Sequence, residues 1–212
     1  MSLENGASSF FRSGESRFKE VQLGDCGDVY RIPAEVNPYE DGHVIGAAIF
    51  RSPEAQLNLR WGTPTDIWSL GATVKHPIAF CKLQKQYLMP LQLISLIWGE
   101  GFHIFNPSKE FPPDHENYAV QVLIKQVSYF GPWPKSYTEL VDPEKVGPDR
   151  IQFCTIIQNH INDNDLRKPF HLLEDPDIDR KDKAFIGKMM KLDPSERASA
   201  KELLNEDWLK EE

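Results

Sequence analysis

The 212 residues predict a mainly α-helical domain with a small β region near the N-terminus. Apolar residues recur at helical spacing in residues 117–129, 149–162 and 184–190. Helix-starting signals, a Ser, Thr or Asp cap with Pro or an acid close behind, stand at Ser52, Thr63, Asp179 and Ser199. Alternating apolar and polar residues, Phe18, Val21 and Leu23 among them, mark one short stretch, Phe18 to Leu23, as a strand.

Residues 1–17 are rich in Ser, Gly and Glu without periodicity and read as a flexible segment ahead of a domain spanning 18–212. The strand Phe18 to Leu23 ends at Gly24, and Asp25-Cys26-Gly27-Asp28 follows directly. From there to Phe50 the chain reads as loop, punctuated by Pro33, Pro38, Gly42 and Gly46; a loop of that length is usually functional or disordered. Ser52-Pro53-Glu54-Ala55 opens a short helix.

Thr63 caps the central helix, Pro64 takes its first position and Asp66 lies three residues past the cap, among unpaired backbone donors. An interior proline costs a helix roughly 3 kcal/mol, so Pro77 predicts a stop or kink near His76. With residues 74–92 removed, Asp66 to Thr73 would join Leu93 to Trp98 in one run, apolar on nearly every face and closed by Gly99. The removed piece holds three Lys, no acid and two prolines in an acidic chain, and its 19 residues are an in-frame 57 nucleotides. It reads as a non-native insertion, a retained intron; permissive donor, branch and acceptor codons are compatible with Val74-Lys75, Leu88-Met89 and Gln92. A genuine surface insertion splitting two shorter helices is the alternative.

Helix Asn117 to Tyr129 is closed by Gly131 and the breaker Pro132-Trp133-Pro134. Helix Asp149 to Asn162 carries Ile151, Cys154, Ile157, His160 and Ile161 on one stripe. Behind the Asp179 cap, Ala184, Phe185, Ile186, Met189 and Met190 form another. Ser199-Ala200-Lys201-Glu202 is a capping box whose helix turns Leu203, Leu204 and Trp208 inward. These stripes predict core rather than a cofactor box.

A formal net charge of −8, with no Lys/Arg run longer than two residues, offers nothing for a phosphate backbone or an anionic membrane to hold. Nucleic acid and membrane partners are therefore not expected. The polar N-terminus and the lack of a long apolar stretch predict a soluble, intracellular protein of cytoplasm or nucleus. Cys26, Cys81 and Cys154 are far apart and read as reduced thiols, and the six scattered His form no metal-ligand pair.

The order of the short motifs carries more than any one of them. Asp25-Cys26-Gly27 after a strand, Arg51-Ser52-Pro53-Glu54 closing a loop, Asp66-Ile67-Trp68-Ser69-Leu70-Gly71, and Leu192-Asp193-Pro194 followed by Arg197 together resemble the C-terminal lobe of a eukaryotic protein kinase. The resemblance runs from Phe18 to Leu209, the insertion excepted. Arg51 and Phe130-Gly131-Pro132-Trp133-Pro134 are most similar to the CMGC-type group, and within it to divergent fungal kinases related to SR-protein kinases.

That resemblance implies a protein serine/threonine kinase, transferring the ATP γ-phosphate to hydroxyls of a protein substrate. Asp25 matches the magnesium-binding acid of the Asp-Phe-Gly motif, with Cys26 in place of Phe. Glu54 matches the glutamate of Ala-Pro-Glu, and Arg197 its structural partner; Asp66 matches the aspartate that braces the catalytic loop. ATP and Mg2+ are the implied cofactors, their binding by these residues alone expected to be weak. No match to the glycine-rich loop, the strand lysine, its glutamate or the His-Arg-Asp loop occurs in these residues, and Ala47 replaces a usual threonine that contacts that loop. The chain by itself is accordingly expected to be inactive, a C-lobe truncated before its metal-binding motif. The alternative is a non-catalytic kinase-like module that docks a protein partner. Between Asp25 and Ala48 there is no Ser or Thr, so ordinary Ser/Thr phosphorylation of that segment is not the switch.

Overall fold

The computed structural model describes residues 28–32, 44–73, 103–141, 149–174 and 178–209. The chain divides into two compact units, Met1–Arg31 and Ile32–Glu212, and every helix named below belongs to the second. The described residues are mainly helical: seven α-helices and three single 3-10 turns, with an isolated bridge at Trp61 and no extended strand among them. The strand expected over Phe18 to Leu23, Asp25, the insertion at residues 74–92 and the continuation Leu93 to Trp98 lie outside the described residues.

Several helices begin where local chemistry supplies their missing partners. In α1 (Pro53–Gln56), Ser52 Oγ accepts from the Ala55 amide and Pro53 occupies the first position. α2 (Pro64–Thr73) starts on turns in which Thr65 and Asp66 donate to the Gly62 and Thr63 carbonyls. α3 spans Tyr118–Phe130, α4 Tyr137–Leu140 and α5 Asp149–Asp163. α6 (Arg180–Met189) is capped reciprocally: Asp179 accepts from Asp182 N, and the Asp182 carboxylate accepts from Asp179 N. Ser199 and Glu202 do the same for α7 (Ala200–Leu203).

One hydrophobic core gathers these elements. α2 contributes Trp68 and Ala72, α3 contributes Val122, Leu123 and Val127, and α6 contributes Phe185, Ile186 and Met189. Trp68 stacks on Phe105 at 6.0 Å between ring centres and meets the edge of Phe130 at 5.8 Å. The α2–α6 approach is close enough that a Cβ on Gly71 would stand 2.5 Å from Met190 Sδ and 2.9 Å from Met189 Cβ. Beyond α3, Arg167 donates to the Gly131 carbonyl and adds a second donor to those of Val127 and Ser128, which already accept from the Gly131 and Lys168 amides.

Several apolar assignments are corrected. α7 ends at Leu203, which is buried, so Leu204 points away and is 72% exposed. Ala184 and His160 are exposed as well, because α6 and α5 each bury a stripe narrower than the periodicity suggested. α2, read as apolar nearly all round, buries Thr65, Trp68, Gly71 and Ala72 but leaves Asp66 and Leu70 open. No helix among the described residues is long and apolar enough to cross a membrane.

Candidate functional site

α1, α2 and the turn before α7 converge on a buried ion pair. Glu54 sits in the first turn of α1, and Arg197 follows the 3-10 turn Pro194–Glu196, which Asp193 caps through Ser195 N. Arg197 Nη1 lies 2.5 Å from Glu54 Oε1 and Nη2 2.6 Å from Oε2, a two-pronged contact whose side chains are 0% and 1% exposed. The guanidinium has further acceptors. Nη1 reaches the Pro64 carbonyl at 3.0 Å, Nη2 that of Leu192 at 3.2 Å, and Nε that of Lys191 at 2.7 Å. All five N–H donors are thus used, and the group lies 5.2 Å from the centre of the Trp68 ring. Burial alone would push the arginine down, but the Glu54 carboxylate outweighs it and holds the group above its usual value.

A hydroxyl relay closes the carboxylate's side. Thr65 Oγ1 lies 3.3 Å from Glu54 Oε1 and 2.6 Å from Ser52 Oγ, so the cap of α1 and the first turn of α2 share one network. On the arginine's side, buried Tyr137 donates to the Leu192 carbonyl at 2.9 Å. Burial pushes Asp193 up, yet hydrogen bonds from Ser136 and Ser195 outweigh it and keep that carboxyl below its usual range. Arg60, Ser136, Glu139, Leu140, Asp193, Pro194 and Ser195 line a cavity of about 250 Å³ beside this network.

The turn ahead of α1 is held from several directions. Arg51 Nε donates to the Ile45 carbonyl at 2.8 Å, Nη2 to that of Gly46, and Nη1 to Gln56 Oε1 at 2.8 Å. Gly46 has φ +68°, a conformation that glycine adopts without the strain a side chain would add. Ser69 from α2 holds the Phe50 carbonyl at 3.1 Å, and Gln126 from α3 holds that of Arg51 at 2.8 Å.

The structure therefore brings Glu54 and Arg197 together, across 143 positions of sequence. Asp66 stands apart on the open side of α2, its carboxyl raised by partial burial and without a carboxylate-binding partner among the described residues. Asp25 lies outside the described residues. Among the described residues no group of three His, Cys, Asp or Glu could hold a metal ion. Sequence reasoning missed Trp68 beneath the guanidinium, the Ser52–Thr65 relay and Gln126. Only the last left a signal, an amide interrupting the apolar run of α3.

No protein-family model matches the chain. Two curated proteins named serine/threonine protein kinase, from two strains of Aspergillus fumigatus, are each 26% identical over 93% of this chain. A Dictyostelium discoideum protein named probable serine/threonine-protein kinase sky1 is 27% identical over 98% of it. These likenesses support a kinase-like relationship. The chain spans 42% of the length of the Aspergillus proteins and 28% of the Dictyostelium one.

Proposed function

We propose that residues 18–212 are the C-terminal lobe of a protein serine/threonine kinase of CMGC type, similar to the divergent fungal kinases related to SR-protein kinases. The reaction is transfer of the ATP γ-phosphate to a protein hydroxyl. The buried, fully satisfied Glu54–Arg197 pair carries this reading, because it ties the segment before α1 to the last helices as the kinase resemblance requires. In this reading Glu54 and Arg197 are structural, Asp66 is the brace for a catalytic loop, and Asp25 is the residue that would hold Mg2+ against the ATP phosphates. ATP and Mg2+ supply the transferable group and its charge neutralisation. Residues 74–92 are an insertion translated from a retained intron, protein substrates are the partners, and the setting is intracellular.

Residues 1–212 alone are expected to show no measurable turnover, since phosphoryl transfer needs the base, the phosphate-gripping lysine and the metal ligands together. The test is a phosphotransfer assay, with Mg·ATP and a panel of protein substrates, on these residues and on the protein encoded by the complete gene. Turnover by the complete protein that falls by at least about 100-fold in Asp25→Asn supports the reading, as loss of a metal ligand demands. Robust turnover by residues 1–212 overturns it. A second reading, a kinase-like module that docks a partner without catalysis, draws on Cys26 and Ala47, which replace the family's Phe and Thr next to the transfer site. An inactive complete protein would favour it.

A further inference from the structure

Helix α3 buries an amide, that of Gln126, among Val122, Leu123, Ile124, Val127 and Ser128. Gln126 has no exposed surface and lies between buried Leu123 and Val127. Its Nε2 donates to the Arg51 carbonyl at 2.8 Å across 75 positions of sequence, while its Oε1 has no hydrogen-bond partner among the described residues. A buried acceptor left unpaired is destabilising, and a leucine of similar bulk would fill the space without one. Packing therefore does not account for the amide. What it supplies is a hold on the Arg51 carbonyl, beside the bond from the Arg51 amide to the Ala47 carbonyl at 3.0 Å.

That hold propagates. Arg51 reaches back from its fixed main chain to the carbonyls of Ile45 and Gly46, so the position of the turn depends on where the residue 51 backbone sits. Ser69 fixes the neighbouring Phe50 carbonyl. We infer that Gln126 is a positioning residue for substrate selection, fixing the Arg51 backbone and through its guanidinium the Ile45–Gly46 turn that a protein substrate meets. The inference rests on the kinase reading, in which Ala47 stands where the family contacts its catalytic loop and the turn therefore faces the site of transfer.

The test uses the complete protein with Gln126→Leu, which keeps the bulk and removes donor and acceptor, and Gln126→Asn, which keeps the amide and shortens its reach. Both should raise the KM for a peptide substrate about tenfold while leaving kcat and the KM for ATP within about twofold, the signature of lost substrate placement rather than lost chemistry. Amide hydrogen exchange at residues 45–51 should quicken about tenfold in both, with exchange in α6 unchanged. Wild-type peptide KM and wild-type exchange at residues 45–51 in a folded variant overturn the inference. If Gln126→Leu does not fold, Gln126→Asn carries the same readouts. A wild-type protein without phosphotransfer defeats the kinase reading instead, and exchange at residues 45–51 then decides the positioning role: unchanged protection in the variants rejects it.

Discussion

Arg197 is used to the last proton, and this decides what its loss does. A buried carboxylate whose guanidinium is removed keeps only the Thr65 hydroxyl at 3.3 Å, and a charge stranded in that way typically costs 3–5 kcal/mol. Arg197→Ala should therefore lower the free energy of unfolding by about 3–5 kcal/mol, read from urea or thermal denaturation. An unchanged midpoint would contradict the ion pair's structural role. Lysine should rescue little, because one ammonium cannot meet two carboxylate oxygens and the Pro64, Lys191 and Leu192 carbonyls at once.

At the scale of elements, α2 and α6 can pack as they do only because residue 71 has no side chain. A methyl there would meet Met190 Sδ and the Met189 Cβ, and Met189 Cβ sits on helix backbone that cannot swing aside. Gly71→Ala should destabilise the chain by about 1–3 kcal/mol, the usual cost of overpacking. Gly187 on α6 is the internal control, since a Cβ there meets nothing within 4 Å. Gly187→Ala should leave stability unchanged or raise it by about 1 kcal/mol through helix propensity alone. Equal effects of the two substitutions in denaturant melts would remove the close-approach argument.

For the molecule as a whole, acid sensitivity is set in part by a buried histidine where the chain returns to α2. His103 Nδ1 accepts from the Phe105 amide at 3.1 Å, which leaves Nε2 to donate to the Ala72 carbonyl at 3.2 Å, and the Phe50 ring stands edge-on at 5.3 Å. Burial lowers its pKa from 6.5 to about 4, with the Ala72 carbonyl opposing weakly. Because the folded value lies below the unfolded one, this contribution is complete above pH 6.5 and is lost as pH falls toward 4, where the unfolded chain takes up the proton first. The loss should reach about 3 kcal/mol across that window. Unfolding free energies at intervals from pH 7 to pH 4, compared with those of His103→Gln, check it: the variant should show a shallower slope, and an identical slope would reject the assignment.

The amino-acid sequence determined whatever is settled within about one helical turn. The caps at Ser52, Asp179 and Ser199 could be read from residue order, because donor and acceptor lie three residues apart and need no tertiary partner. The apolar stripes of α3, α5 and α6 were legible for the same local reason, and the kinase resemblance supplied the Glu54 and Arg197 pairing that spacing could not. Only the tertiary structure decided which apolar residues are buried: Ile157 is, Ala184 and Leu204 are not, and periodicity cannot say how wide a stripe its neighbours will cover. It likewise decided that Gln126 holds the Arg51 carbonyl and that Trp68 lies under Arg197, contacts made across long loops by packing, for which local propensity carries no information.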